Sequence, residues 1–120
     1  MKPNNTYFIL RHGEARSNKY NFVSCWPEKV YNPLTREGIK RIKEIALILN
    51  KEKIDLIFAS DLLRTKQTAE IVAGKLGLNT IFDKKLREIE FGKFNGGPGE
   101  EWEEFFETIR NRKSGKPHGM

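Results

Sequence analysis

Short apolar runs alternating with stretches of helical periodicity constrain this chain more than any other feature. Tyr7-Phe8-Ile9-Leu10, Ile54-Asp55-Leu56-Ile57-Phe58-Ala59 and Leu78 to Phe82 each read as a brief buried strand. Strands covered on both faces show continuous apolar runs where half-buried ones alternate. Between the first two, Thr35 stands as the N-cap of a helix whose Ile39, Ile42, Ala46 and Leu49 recur at helical spacing up to about Asn50. Between the second and third, Ser60-Asp61 caps a helix with Leu62, Ala69, Val72 and Leu76 on one side, and Gly77 stops it. The order strand, helix, strand, helix, strand predicts an α/β fold with a mainly parallel sheet flanked by helices, because parallel neighbours need a crossover.

The 120 residues fit one domain able to bury a modest core. With 38% hydrophobic and 32% charged residues, the composition is that of soluble globular chains. No apolar run approaches the roughly 20 residues of a membrane span, and the start of the chain has no apolar signal region, so a cytoplasmic location is expected. Cys25 is the single cysteine, which excludes an internal disulfide and a cysteine-rich metal site and leaves it as an ordinary loop thiol. The net charge of +6 favours anionic partners. Arg110, Arg112, Lys113 and Lys116 cluster near the carboxyl end, where residues 111–120 read as a flexible basic terminus. No aromatic residues are interleaved with those charges to stack bases, which makes a nucleic-acid partner a weak reading.

Beyond Phe82 the pattern changes to Leu86-Arg87-Glu88-Ile89-Glu90-Phe91-Gly92 and then to the turn Gly96-Gly97-Pro98-Gly99. A third helix begins near Glu100. Its Trp102, Phe105, Phe106 and Ile109 form an aromatic face whose default role is core packing.

The chemistry gathers where the first apolar run stops. Arg11 sets a permanently charged fork beside His12, and Gly13 lets backbone approach a ligand, a combination suited to an oxyanion such as phosphate. Asn18 offers a neutral donor, although an isolated asparagine more often serves a turn or cap. About 50 residues on, Arg64 falls in the first turn of the second helix. In an open parallel sheet it would face the same crevice as Arg11 and His12, since ligands collect beyond the carboxyl ends of strands. The plainer reading is an exposed helical arginine.

Taken together, Arg11-His12-Gly13-Glu14 with Asn18, Ser60 to Ala69, and Leu86 to Gly96 resemble three motifs of the histidine phosphatase superfamily, which includes the cofactor-dependent phosphoglycerate mutases. The resemblance runs from about Tyr7 to about Phe106. It implies a phosphoglycerate mutase-like fold and an attack of His12 on phosphorus to give a phosphohistidine, which water or a second acceptor then discharges. Neutral imidazole is a competent nucleophile near pH 7, and covalent catalysis splits one displacement into two easier steps. By the same resemblance Arg11, Asn18 and Arg64 bind the phosphoryl group, and neither a metal nor a cofactor is required. Glu88 matches the proton donor to the leaving group, a role needing a carboxyl kept protonated. Glu90 competes on local grounds, because in an extended segment both would point the same way.

Two departures qualify the match. Ala15 stands where the family usually has threonine or serine, which removes one hydroxyl near the phosphate. The family also needs a second histidine followed by glycine at the end of a later strand. His118-Gly119 has that dipeptide but follows Lys113-Ser114-Gly115-Lys116-Pro117, with no apolar strand before it. Residues 1–120 therefore read as one incomplete domain, truncated before the later strands. It would be either an amino-terminal fragment or a chain completed by another chain or by self-association. The expected function is a phosphatase acting on a small phosphorylated metabolite. The alternatives are mutase-type phosphoryl transfer and a non-catalytic phospholigand-binding module.

Overall fold

The structure, a computed structural model, describes residues 6–87 and 95–113; in the last helix the side chains are described as far as Thr108, except Trp102. Its elements in chain order are α1 (Arg16–Tyr20), α2 (Arg36–Leu49), β1 (Ile57–Ala59), α3 (Leu63–Leu76), β2 (Thr80–Phe82), a 3-10 turn at Lys84–Leu86, and α4 (Gly99–Lys113).

The centre is a parallel β1-α3-β2 unit, with Ile57 opposite Thr80, Phe58 opposite Ile81 and Ala59 opposite Phe82. Thr35 caps α2 as its sequence position predicts, its Oγ1 accepting from the Gly38 N–H at 3.0 Å. Gly77 ends α3 with φ +70°, a conformation that glycine enters without a Cβ penalty. The apolar faces of α2 and α3 meet over Ile42, Ala46 and Val72, and Ile45, Leu49, Ile57, Ile71 and Leu76 pack around them. Ile42 is 1% exposed, so its truncation to alanine would cost about 2–5 kcal/mol.

Several sequence expectations change. Tyr7–Leu10 is not a buried strand: none of the four is in the described sheet, and Ile9 is 98% exposed. An apolar run becomes a strand only beside a hydrogen-bonded partner, and the sheet here consists of β1 and β2. The second apolar run enters the sheet only from Ile57, because β2 offers a ladder of three residues. That sheet is covered on one face: Ile57 and Ala59 turn inward, whereas Phe58 is 57% exposed. On the aromatic face of α4, Phe105 and Phe106 are exposed and not core, and the side chains of Trp102 and Ile109 lie outside the described residues. The helix is instead tethered through its first turn, where the Gly99 N–H donates to the Asn21 carbonyl and Asn21 Nδ2 donates to Glu100 Oε1. The radius of gyration, 17.3 Å, exceeds the roughly 14 Å of a closed domain of this length. Helix α4 continues to Lys113, so it includes the start of the basic segment; residues 114–120 lie outside the described residues.

Two local devices position the histidine and arginine motifs. The chain after the first apolar run lies directly on α2: a Cβ on Gly13 would fall 2.7 Å from Ile42 Cγ1, and one on Gly38 would fall 2.9 Å from the Glu14 nitrogen. The Thr35 N–H donates to the Glu14 carbonyl at 2.8 Å, and Thr35 Oγ1 donates to Glu14 Oε1 at 2.6 Å. The second device is a fork: Arg87 Nε and Nη2 each donate to Asp61 at 2.6 Å while the guanidinium stacks on Trp26 at 4.0 Å. Asp61 is thus spent on Arg87 and does not cap α3, correcting the expected cap; Ser60 makes no such bond either. The hydrogen bond from Arg87 holds the Asp61 carboxyl below its ordinary range.

Gly38→Ala sets a helix-propensity gain of about 1 kcal/mol against a clash with backbone that cannot rotate away, an overpacking cost of about 1–3 kcal/mol. Net destabilisation is expected in urea denaturation; a stabilised variant would show that Glu14 is not seated on α2. For Asp61, the folded state favours the charged form. Its contribution is complete above the unfolded carboxylate value of about 3.9 and is lost as pH falls through the lower folded value. Asp61→Asn should therefore flatten the acid limb of a stability-versus-pH curve, and an unchanged limb would contradict the fork.

Candidate active site

His12 follows the exposed run Tyr7–Leu10 and is half-buried. Its Nδ1 lies 2.7 Å from the Gly13 carbonyl oxygen. A carbonyl only accepts, so Nδ1 must carry the proton, and in the neutral ring Nε2 then holds the lone pair. Local backbone has thereby selected the tautomer that a nitrogen nucleophile needs.

The next residue links this motif to α3. The Gly13 N–H donates to Thr68 Oγ1 at 3.0 Å, and that hydroxyl donates in turn to the Arg64 carbonyl at 2.8 Å. A hydroxyl has one proton and two lone pairs, so Thr68 can close both bonds. The histidine motif and the arginine helix, 55 positions apart at this bond, therefore meet one helical turn from Arg64.

Arg64 is 2% exposed, not the surface helix residue of the plainer reading. Its Nη2 donates to the Ser24 carbonyl at 3.1 Å, and its Nη1 lies 3.6 Å from Glu28 Oε1. Glu28 Oε2 accepts from the Leu63 N–H at 3.3 Å, in the first turn of α3, where no side chain of the helix's own N-cap serves. One carboxylate from a distant loop thus compensates both the buried guanidinium and the start of the helix.

The remaining expected residues are placed differently. Arg11 is exposed. Asn18 is exposed, and its Oδ1 accepts from the Ala15 N–H at 2.8 Å, the capping role that an isolated asparagine commonly has. Ala15 itself is fully buried and bridges to Leu34, so a hydroxyl there would face packing. Glu88, Glu90 and His118 lie outside the described residues. Arg87, immediately before Glu88, is anchored by Asp61 and Trp26.

Sequence reasoning missed Glu28, Thr68, Asn32 and Asn95. Asn32, 1% exposed, accepts from the Ser17 N–H and donates to Ser17 Oγ, fixing α1 to the loop before α2. Asn95 binds the Cys25 N–H and the Pro27 carbonyl, fixing the loop that carries Glu28. Only Thr68 had a local signal, being four positions after Arg64 and so on the same helical face. Among the described residues no helix is long and apolar enough to cross a membrane, and no group of three or more His, Cys, Asp or Glu could hold a metal ion.

Comparison with known proteins shows the family to which this fold belongs. The probable phosphoglycerate mutase GpmB of Escherichia coli K12 is 35% identical over 85 residues, which span 71% of this chain and 38% of that protein. GpmB of Shigella boydii matches to the same extent. Among solved structures, Bacillus stearothermophilus YhfR superposes with a TM-score of 0.72 at 27% identity, over 86% of this chain and 50% of its own. A mycobacterial glucosyl-3-phosphoglycerate phosphatase gives 0.71 at 25% identity, over 90% and 52%. The chain thus spans about two fifths to half the length of these proteins. The family model of the histidine phosphatase superfamily (branch 1) matches residues 7–119, and the chain belongs to that superfamily.

Proposed function

We propose that the chain carries a phosphatase site acting on small phosphorylated metabolites in the cytoplasm, through a phosphohistidine at His12. The observation that carries this reading is the Nδ1–H bond of His12 to the Gly13 carbonyl, which leaves the attacking lone pair on Nε2. In the first step Nε2 attacks phosphorus and the bond from phosphorus to the ester oxygen breaks. The departing oxygen takes its proton from Glu88. In the second, water attacks phosphorus as Glu88 recovers a proton from it, the N–P electrons return to Nε2, and inorganic phosphate leaves. Arg11, Asn18 and Arg64 neutralise and orient the phosphoryl oxygens.

A mutase reading shares these residues and is supported by the name of the GpmB relatives. A non-catalytic phospholigand-binding module would use the same Arg11, His12 and Arg64 without turnover. The open face of the two-stranded sheet and the exposed Tyr7–Leu10 favour completion by another chain or by self-association.

Incubation with para-nitrophenyl phosphate should give a chain heavier by one phosphoryl group, with the acid lability of a phosphohistidine, and His12→Ala should abolish it. Label retained in His12→Ala means another nucleophile. A phosphate-dependent rise in melting temperature without any label supports the binding module. Solution mass tests completion, which a compact, non-associating monomer would contradict.

A further inference from the structure

Glu28 has no part in the phosphoryl-transfer steps, yet its carboxylate forms an ion pair with the phosphoryl-binding arginine. Its two carboxylate oxygens span the Arg64 guanidinium at 3.6 Å and the Leu63 N–H at 3.3 Å. These are the donors that an oxyanion entering over the first turn of α3 would use: a buried arginine fork and a helix-start N–H. The carboxylate is well shielded, with its side chain 20% exposed against 3% for Arg64, so the pair interacts with little screening by solvent. The loop bearing it is held in turn by Asn95 on the Cys25 N–H and the Pro27 carbonyl, and by the Ser24 carbonyl on Arg64.

We propose that Glu28 is an internal competitor for the phosphoryl group, a specificity-determining carboxylate that occupies the anion position at Arg64 until a ligand displaces it. The inference rests on the phosphate reading of Arg64. Its physical content is a comparison of two charges on one guanidinium. A carboxylate brings one negative charge, already tethered; a phosphomonoester dianion brings two charges and more acceptor oxygens. Carboxylates and other monoanions would gain nothing by replacing Glu28, whereas a dianionic phosphomonoester would. The residue thus selects ligands by charge and keeps Arg64 compensated between them, at the expense of affinity.

The test is titration of the full 120-residue chain with inorganic phosphate, followed by NMR at the His12 imidazole and by melting temperature. Glu28→Gln retains an acceptor for the Leu63 N–H and removes the charge. It should bind phosphate about tenfold more tightly than the parent chain, and Glu28→Asp should stay near the parent. Equal or weaker binding by Glu28→Gln, with a normal fold, overturns the proposal and makes Glu28 a support for Arg64. Should Glu28→Gln be unfolded in phosphate-free buffer, phosphate must restore its fold; failure to do so also overturns it. If neither protein responds to phosphate at His12 or in melting temperature, the phosphate reading fails and this inference with it.

Discussion

One hydrogen bond, from the Gly13 N–H to Thr68 Oγ1, joins the two halves of the site. It is possible only because the backbone at Gly13 and Glu14 lies flat on α2, where Gly38 supplies no side chain to hold it off. With that approach made, His12 has its ring orientation, Thr35 can bond both the backbone and the side chain of Glu14, and the first motif rests one turn from Arg64. Helix α2 thus contributes no candidate catalytic side chain, yet it sets the level at which the histidine stands.

The buried arginine poses the harder problem of physical chemistry. A guanidinium at 2% exposure is tolerable only when compensated, and among the described residues the Ser24 carbonyl and Glu28 contribute to this. Both partners lie in the loop between α1 and α2, and that loop is fastened by Asn95 from far along the chain. The electrostatics of the site are therefore a property of three segments brought together, and of none of them alone.

Much of this was legible beforehand. The helices α2 and α3, the Thr35 cap and the Gly77 stop followed from apolar period and from local backbone chemistry, which act over a few residues. His12 and Arg64 stood out by residue type, after an apolar run and in a first helical turn, but their meeting through Gly13 and Thr68 did not. Burial was less legible. Tyr7–Leu10 on the first run and Phe105 and Phe106 on α4 favour burial by residue type but are exposed, because an apolar pattern does not fix which distant segment packs on it. Asp61 shows the same limit: by spacing it is a helix cap, but a bidentate arginine offers two charge-assisted bonds in place of one neutral N–H.

By itself, then, the sequence determined the β1-α3-β2 alternation, the Thr35 start of α2 and the Gly77 stop of α3, the family and the residue types available for phosphate. Each depends on local periodicity, local caps or short contiguous motifs. The tertiary structure alone decided that Arg64 is buried, that Glu28 is its counter-ion, that Thr68 receives Gly13, and that the sheet is covered on one side. Those facts depend on which distant segments share a dielectric and a hydrogen-bond partner. Spacing along the chain does not encode them, because Glu28 and Arg64 or Gly13 and Thr68 are neighbours only in space.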